Sequence, residues 1–320
     1  MERSTKQRNQ PSGGHVDLQR IGFVGYGEVG KIFSAGLKEQ AGIQACSAWD
    51  LKFVNDEIGG TERAHAAARG IVAASSMAQL CEASDLVVSA VTASNTLAVA
   101  QEAARYLRPG CVFLDLNSAS PGTKKQAAVL IEAAEGRYVE AGVMTSVPPY
   151  GIRVPMLLGG PDAQELAPVL QGWGMDAKPV SEELGVASAI KMCRSVMIKG
   201  LEALVIESYT TARAYGVEDY VLPTLAETFP SIDWHKQGAY FFSRVVQHGK
   251  RRAEEMRESA NTVREAGFEP FMTAAIADKQ QWVADQAAAG LFAGLARDVV
   301  WQDYADRLIE GKGNKITPGV

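Results

Sequence analysis

Seven stretches of strand length mark the first half of the chain: residues 21–24, 44–49, 70–73, 85–91, 111–115, 138–143 and 154–158. The run 85–91 is apolar with little alternation, which suits a parallel strand covered on both faces. Helical patterns fall between the strands at 31–37, 61–69, 97–107 and 121–131. Pro109-Gly110 stops the third of these and Pro121 opens the fourth. Such strand–helix alternation predicts an α/β fold, a doubly wound parallel sheet of Rossmann type. Beyond Ser181 the pattern turns helical throughout. Residues 186–214 hold no proline and a single glycine, Gly200, so one long helix is expected there. Further helices fit 219–228, 240–246, 251–266, 271–289 and 291–309. The division that follows is 1–17, a polar segment expected to be disordered; 18–181, a dinucleotide-binding domain; and 182–320, an all-helical domain for substrate and dimer contacts.

Where the first strand ends, the chain reads Gly25-Tyr26-Gly27-Glu28-Val29-Gly30. In a G-x-G-x-x-G loop the first glycine permits the tight turn. The second lets backbone approach a pyrophosphate, and the third lets the helix pack on the strand. The first-turn N–H groups and the helix dipole then favour phosphate. Asp50, 20 residues beyond Gly30, closes the second strand, where a carboxylate accepts from the ribose hydroxyls. A carboxylate there repels a 2′-phosphate and so points to NAD. Lys52 softens that repulsion, which keeps NADP open. In doubly wound sheets ligands sit at the carboxyl ends of the strands, so Thr92, Asn95, Asn117 and Ser118 are expected to face one crevice.

Composition narrows the class without changing this picture. A chain of 320 residues exceeds what one core usually serves. With 47% apolar and 22% charged residues and a net charge of −5, nothing points to a nucleic-acid or membrane partner. Four scattered cysteines and four dispersed histidines suggest neither disulfides nor a metal site, and a cytoplasmic location is expected. The charged run Lys250-Arg251-Arg252 with Glu254-Glu255 reads most simply as a solvated helix face. The aromatic group Trp234, Tyr240, Phe241, Phe242, Phe268 and Phe271 reads as core or dimer interface, with some rings able to line a pocket.

The long helix carries the most informative side chain. Ser188, Lys191, Ser195, Lys199 and Glu202 share one face at helical spacing. Lys191 stands in a mostly apolar stretch, and two readings are open. It is either a snorkelling lysine at a domain edge or a desolvated general acid/base.

Taken together, the glycine loop, Asp115-Leu116-Asn117-Ser118-Ala119-Ser120-Pro121, and Lys191 with a hydrogen-bonding side chain one turn later resemble the β-hydroxyacid dehydrogenase family. That family includes 3-hydroxyisobutyrate and 6-phosphogluconate dehydrogenases, and the resemblance runs from Arg20 onward to cover nearly the whole chain. It implies an NAD(P)-dependent dehydrogenase acting on CH–OH groups, working as a homodimer on a small hydroxyacid. Carried over, Gly25, Tyr26, Gly27, Glu28 and Val29 hold the pyrophosphate. Asp50 holds the ribose, and Thr92 and Asn95 lie along the nicotinamide half. Asn117, Ser118, Thr145, Ser146 and Ser195 contact substrate, with Lys191 as acid/base.

Three departures stand out. The family's Asp-Ala-Pro-Val-Ser-Gly-Gly stretch, which grasps the substrate carboxylate, is replaced by residues 140–149. Its asparagine after the lysine is Ser195. Its Lys-Asp pair near the nicotinamide has Glu254-Glu255 at the corresponding distance before Gly267. Hydride-transfer machinery is thus kept while carboxylate recognition is rewritten. An imine or ketone reductase on the same fold is the second enzymatic reading, against which Lys191 counts. A non-catalytic dinucleotide-binding sensor is the third.

Overall fold

The computed structural model describes residues 18–55, 57–296 and 299–311, so the segment 1–17 lies outside it. The first half builds β1 (Arg20–Val24), α1 (Glu28–Lys38), β2 (Ala45–Trp49), α2 (Gly59–Ala68), β3 (Val72–Ala73) and α3 (Met77–Ala83). It continues with β4 (Leu86–Ser89), α4 (Thr96–Ala103), β5 (Val112–Asp115), α5 (Pro121–Ala133) and β6 (Arg137–Val143). Then come β7 (Met156–Gly159), α6 (Ala163–Gly172) and β8 (Ala177–Ser181). The sheet order is β3-β2-β1-β4-β5-β6-β7-β8. Every residue of β4 and β5 is buried, as strands covered on both faces must be.

The first six strands run parallel, but β7 pairs antiparallel to β6 and β8 follows β7. The alternation predicts a doubly wound parallel sheet, and β7 alone reverses direction against its neighbour β6. Residues 144–155 supply only the short turn Gly151–Arg153 and no covering helix. Without a crossover the chain returns antiparallel. Strand β8 is half-exposed and contains Pro179, which a sheet edge tolerates.

The second half holds α7 (Val186–Tyr215), α8 (Glu218–Thr228), α9 (Trp234–Glu265), α10 (Phe271–Ala288) and α11 (Trp301–Glu310). The two helices expected at 240–246 and 251–266 are one, 32 residues long. Gly249 does not break it. A Cβ there would meet Gln280 O at 2.8 Å and Ala284 Cβ at 3.0 Å, so this glycine admits α10 at close range. The helix expected at 291–309 is shorter, because residues 290–294 form turns and α11 begins only at Trp301. Tyr209, Trp234, Phe242, Trp301 and Tyr304 form the domain's aromatic core, whereas Tyr240, Phe268 and Phe271 are exposed. Contacts from Met192–Ser259 through Lys199–Glu255 to Glu202–Arg252 show that α7 and α9 pack antiparallel. No helix among the described residues is long and apolar enough to cross a membrane.

Candidate active site

A cleft of about 650 Å³ lies between the carboxyl ends of the parallel strands and the facing sides of α7 and α9. The glycine loop forms one wall. Gly25 has φ +97°, a left-handed conformation, and a Cβ there would strike Ala90 O. At Gly30 a Cβ would strike Gly25 O. Gly27 differs from both, because its Cβ position meets nothing within 4 Å and opens on the cleft. Glu28 and Val29, in the first turn of α1, line the same space, where helical N–H groups lack intrahelical partners. A cradle open at Gly27 and rich in unpaired N–H groups fits a pyrophosphate.

Asp50 fastens this wall. Its Oδ2 accepts from Tyr26 N at 2.6 Å and its Oδ1 from Lys52 N at 2.9 Å. Each oxygen keeps a further lone pair for a ribose hydroxyl. Tyr26 contributes only backbone. Its ring is buried, with the hydroxyl 3.1 Å from His65 Nδ1 and pointing away from the cleft lining. On the opposite side Asn95 Nδ2 donates to Thr92 Oγ1 at 2.8 Å, which fixes the loop after β4.

Asn117 lines the cleft, but both ends of its amide are engaged in the sheet. Oδ1 accepts from Val91 N at 2.7 Å and Nδ2 donates to Ser89 Oγ at 2.9 Å. It ties the ends of β4 and β5 together. Ser118, Thr145, Ser146 and Ser195 all reach the cleft. Behind them lies a buried network around Asp115, which accepts from Asn117 N, Tyr138 Oη and Lys124 Nζ at 2.9, 2.7 and 2.9 Å.

Lys191 enters from α7. Gly142 of β6 makes this possible, since a Cβ there would meet Ala187 O at 3.0 Å and Lys191 Cβ at 3.4 Å. Glu140, two residues earlier and fully buried, accepts from Gly185 N at 2.8 Å and Ala187 N at 3.1 Å, so it seats the start of α7 on the sheet. Gly185, at φ +99°, turns the chain into that helix. Burial is the main force lowering the Lys191 ammonium to about 7. Lys124 and Lys199 add to it, against the opposing pull of Glu255 and Asp115.

Glu255 was read from the sequence as part of a solvated charged face, and the structure corrects this. Its carboxylate lies 2.6 Å from Lys199 Nζ, and Lys199 also reaches Ser195 Oγ at 3.4 Å. Burial works against ionisation, but Lys199, Lys191 and then Arg251 outweigh it and bring the carboxyl down to about 2. Arg252 is more deeply buried than Glu255. It pairs with buried Glu202 on α7, and Gln280 Nε2 donates to the same carboxylate at 3.3 Å. The helical-domain side of the cleft is therefore a lattice of paired charges. One signal in the sequence pointed there: Lys199 and Glu202 sit on the Lys191 face and require opposite charges.

Comparison with known proteins agrees with this fold. Residues 20–179 match the NAD binding domain of 6-phosphogluconate dehydrogenase, and residues 212–283 match a domain of unknown function. A solved conserved hypothetical protein from Sinorhizobium meliloti is 38% identical, with 91% of this chain and 96% of that one covered and a TM-score of 0.71. An uncharacterised 28.5 kDa protein of Methanothermus fervidus is 29% identical over 79% of this chain and 94% of its own length. The fold is also that of Mycobacterium tuberculosis 3-hydroxyisobutyrate dehydrogenase, at 17% identity, coverage of 91% and 99%, and a TM-score of 0.61. With half its length matched to that NAD-binding domain, the chain belongs to the β-hydroxyacid dehydrogenase family, in a divergent branch of uncharacterised proteins.

Proposed function

We propose that the protein is an NAD(H)-linked oxidoreductase that interconverts a small hydroxyacid, or a related alcohol, with its carbonyl form. The observation that carries this reading is the place of Lys191 in the cleft, on α7 beside Ser195, Lys199 and Glu255, where burial lowers its pKa to about 7. When bound, the nicotinamide supplies or accepts the hydride. The remaining work belongs to the chain. Neutral Lys191 takes the hydroxyl proton as the alcohol is oxidised, and its ammonium returns a proton in the reverse direction. Glu255 and Lys199 fix the charge around that amine. Ser118, Thr145, Ser146 and Ser195 offer hydroxyl contacts to the substrate, while Asn117 holds the loops that carry Val91 and Ser118. Asp50 favours a free 2′-hydroxyl and hence NAD. Ile190, Met197 and Leu204, exposed at seven-residue intervals along α7, support a homodimer.

The test is the absorbance of reduced nicotinamide over a panel of β-hydroxyacids, semialdehydes, neutral alcohols and ketones, and cyclic imines. Each is run with both cofactors, wild type beside Lys191→Ala. Hydroxyacid turnover that falls about 10²–10⁴-fold in the variant is expected. Turnover of imines alone would support instead the reductase reading, whose fold this chain shares. Binding of cofactor without turnover of anything would support the sensor.

A further inference from the structure

The helical domain places a guanidinium over the amino end of α1. Arg251 Nη1 lies 3.7 Å from Glu28 Oε2, and Glu28 is the first residue of α1, beside the open position at Gly27. Its Nε lies 3.9 Å from Glu255 Oε1. Both distances bring charges together without a hydrogen bond. The Nε is buried and has no acceptor among the described residues. A buried guanidinium donor without a partner is costly, and the Arg251 side chain lines the cleft together with Gly25, Gly27 and Glu28. Glu28 poses the complementary difficulty. A carboxylate in the first turn suits the helix dipole but repels a phosphate arriving at the same place. Arg251 answers both, because it neutralises Glu28 and carries N–H donors arranged for phosphate oxygens.

We propose that Arg251 is a pyrophosphate-binding residue delivered from the helical domain, with Glu28 as its partner while the cleft is empty. Cofactor entry draws the guanidinium from Glu28 to the phosphates and ties α9 to the nucleotide wall. Seen this way, the family's cradle is completed in this chain from the second domain. The proposal rests on the dinucleotide occupying the cleft and not on the chemistry of Lys191.

The test is equilibrium binding of NADH, read from nicotinamide fluorescence or calorimetry, in the wild type, Arg251→Gln and Glu28→Gln. Both side chains are well exposed overall, and thermal melts of the free proteins check that folding is kept. Arg251→Gln is expected to raise the Kd about tenfold or more, and to flatten its dependence on salt. Glu28→Gln is expected to lower the Kd, since it removes a like charge. Opposite signs from the two halves of one ion pair are the signature, because a merely structural pair would weaken binding in both variants. Equal signs, or an unmoved Kd in Arg251→Gln, would overturn the proposal. A wild type that binds neither dinucleotide would instead overturn the reading of the cleft itself.

Discussion

Arg252→Met tests whether the floor of the cleft is held as described. Arg252 and Glu202 are 8% and 1% exposed, and two hydrogen bonds join them, one of 2.8 Å from Nε. Among the described residues, removing the cation leaves Glu202 with only Gln280 as a neighbouring donor, at 3.3 Å. Stranding a buried charge in this way costs about 3–5 kcal/mol, set against a total stability of roughly 5–15 kcal/mol for an ordinary protein. Glu202→Met strands the guanidinium instead and costs a similar amount. The double variant removes both charges and keeps the volume apolar. Gln280 then loses one acceptor but still donates to Lys199 O at 3.3 Å, so about 1 kcal/mol is lost there. Urea unfolding at pH 7, followed by tryptophan fluorescence, is expected to show each single variant several kcal/mol below wild type and the double variant above both. Single costs under about 1 kcal/mol, or a double variant destabilised by the sum of the two, would refute the pairing and its burial.

Other expectations are simpler. Gly27→Val fills the open Cβ position at the cradle and should abolish measurable NADH binding by fluorescence titration while leaving the melting temperature within a few degrees of wild type. Asp50→Asn removes the like charge facing a 2′-phosphate, so the ratio of NADPH to NADH affinity should rise. An unchanged ratio would show that Asp50 does not set the preference. Asp85 is held down to about 2; partial burial opposes its charge, but Arg20 and Arg108 donate to it. Its folded pKa is depressed, so its stabilisation is full above the ordinary carboxylate range and is lost as pH falls from about 4 towards about 2. Acid unfolding of Asp85→Asn should show a correspondingly smaller loss across that window.

How much of this was legible in the chain depended on distance along it. Gly25, Gly27, Gly30 and Asp50 form a local pattern, and the structure brings the loop and Asp50 together through the bond to Tyr26 N. Lys191 stood out because helical spacing set it against an apolar stretch. Glu255 did not, since the partner that explains its charge, Lys199, lies on another helix. The charge run 250–255 fits a solvated face just as well until α7 is packed against it. Glu202 and Arg252 are 50 residues apart and meet only in the tertiary fold. Asn117 was placed at the crevice, but its amide turned inward because two loop ends needed a bridge. The reversed β7 escaped notice because a buried run shows its length but not its direction.

The most direct measurement is the pH dependence of kcat/KM in both directions, for the wild type and Glu255→Gln. Oxidation needs the neutral Lys191 amine, so its rate should fall about tenfold per unit below pH about 7, while reduction needs the ammonium and should fall above it. Glu255 raises the lysine's pKa, so Glu255→Gln should move both inflections to lower pH. Profiles that stay flat through neutral pH, or an inflection near 7 that persists in Lys191→Ala, would contradict the assignment of Lys191 as the proton carrier.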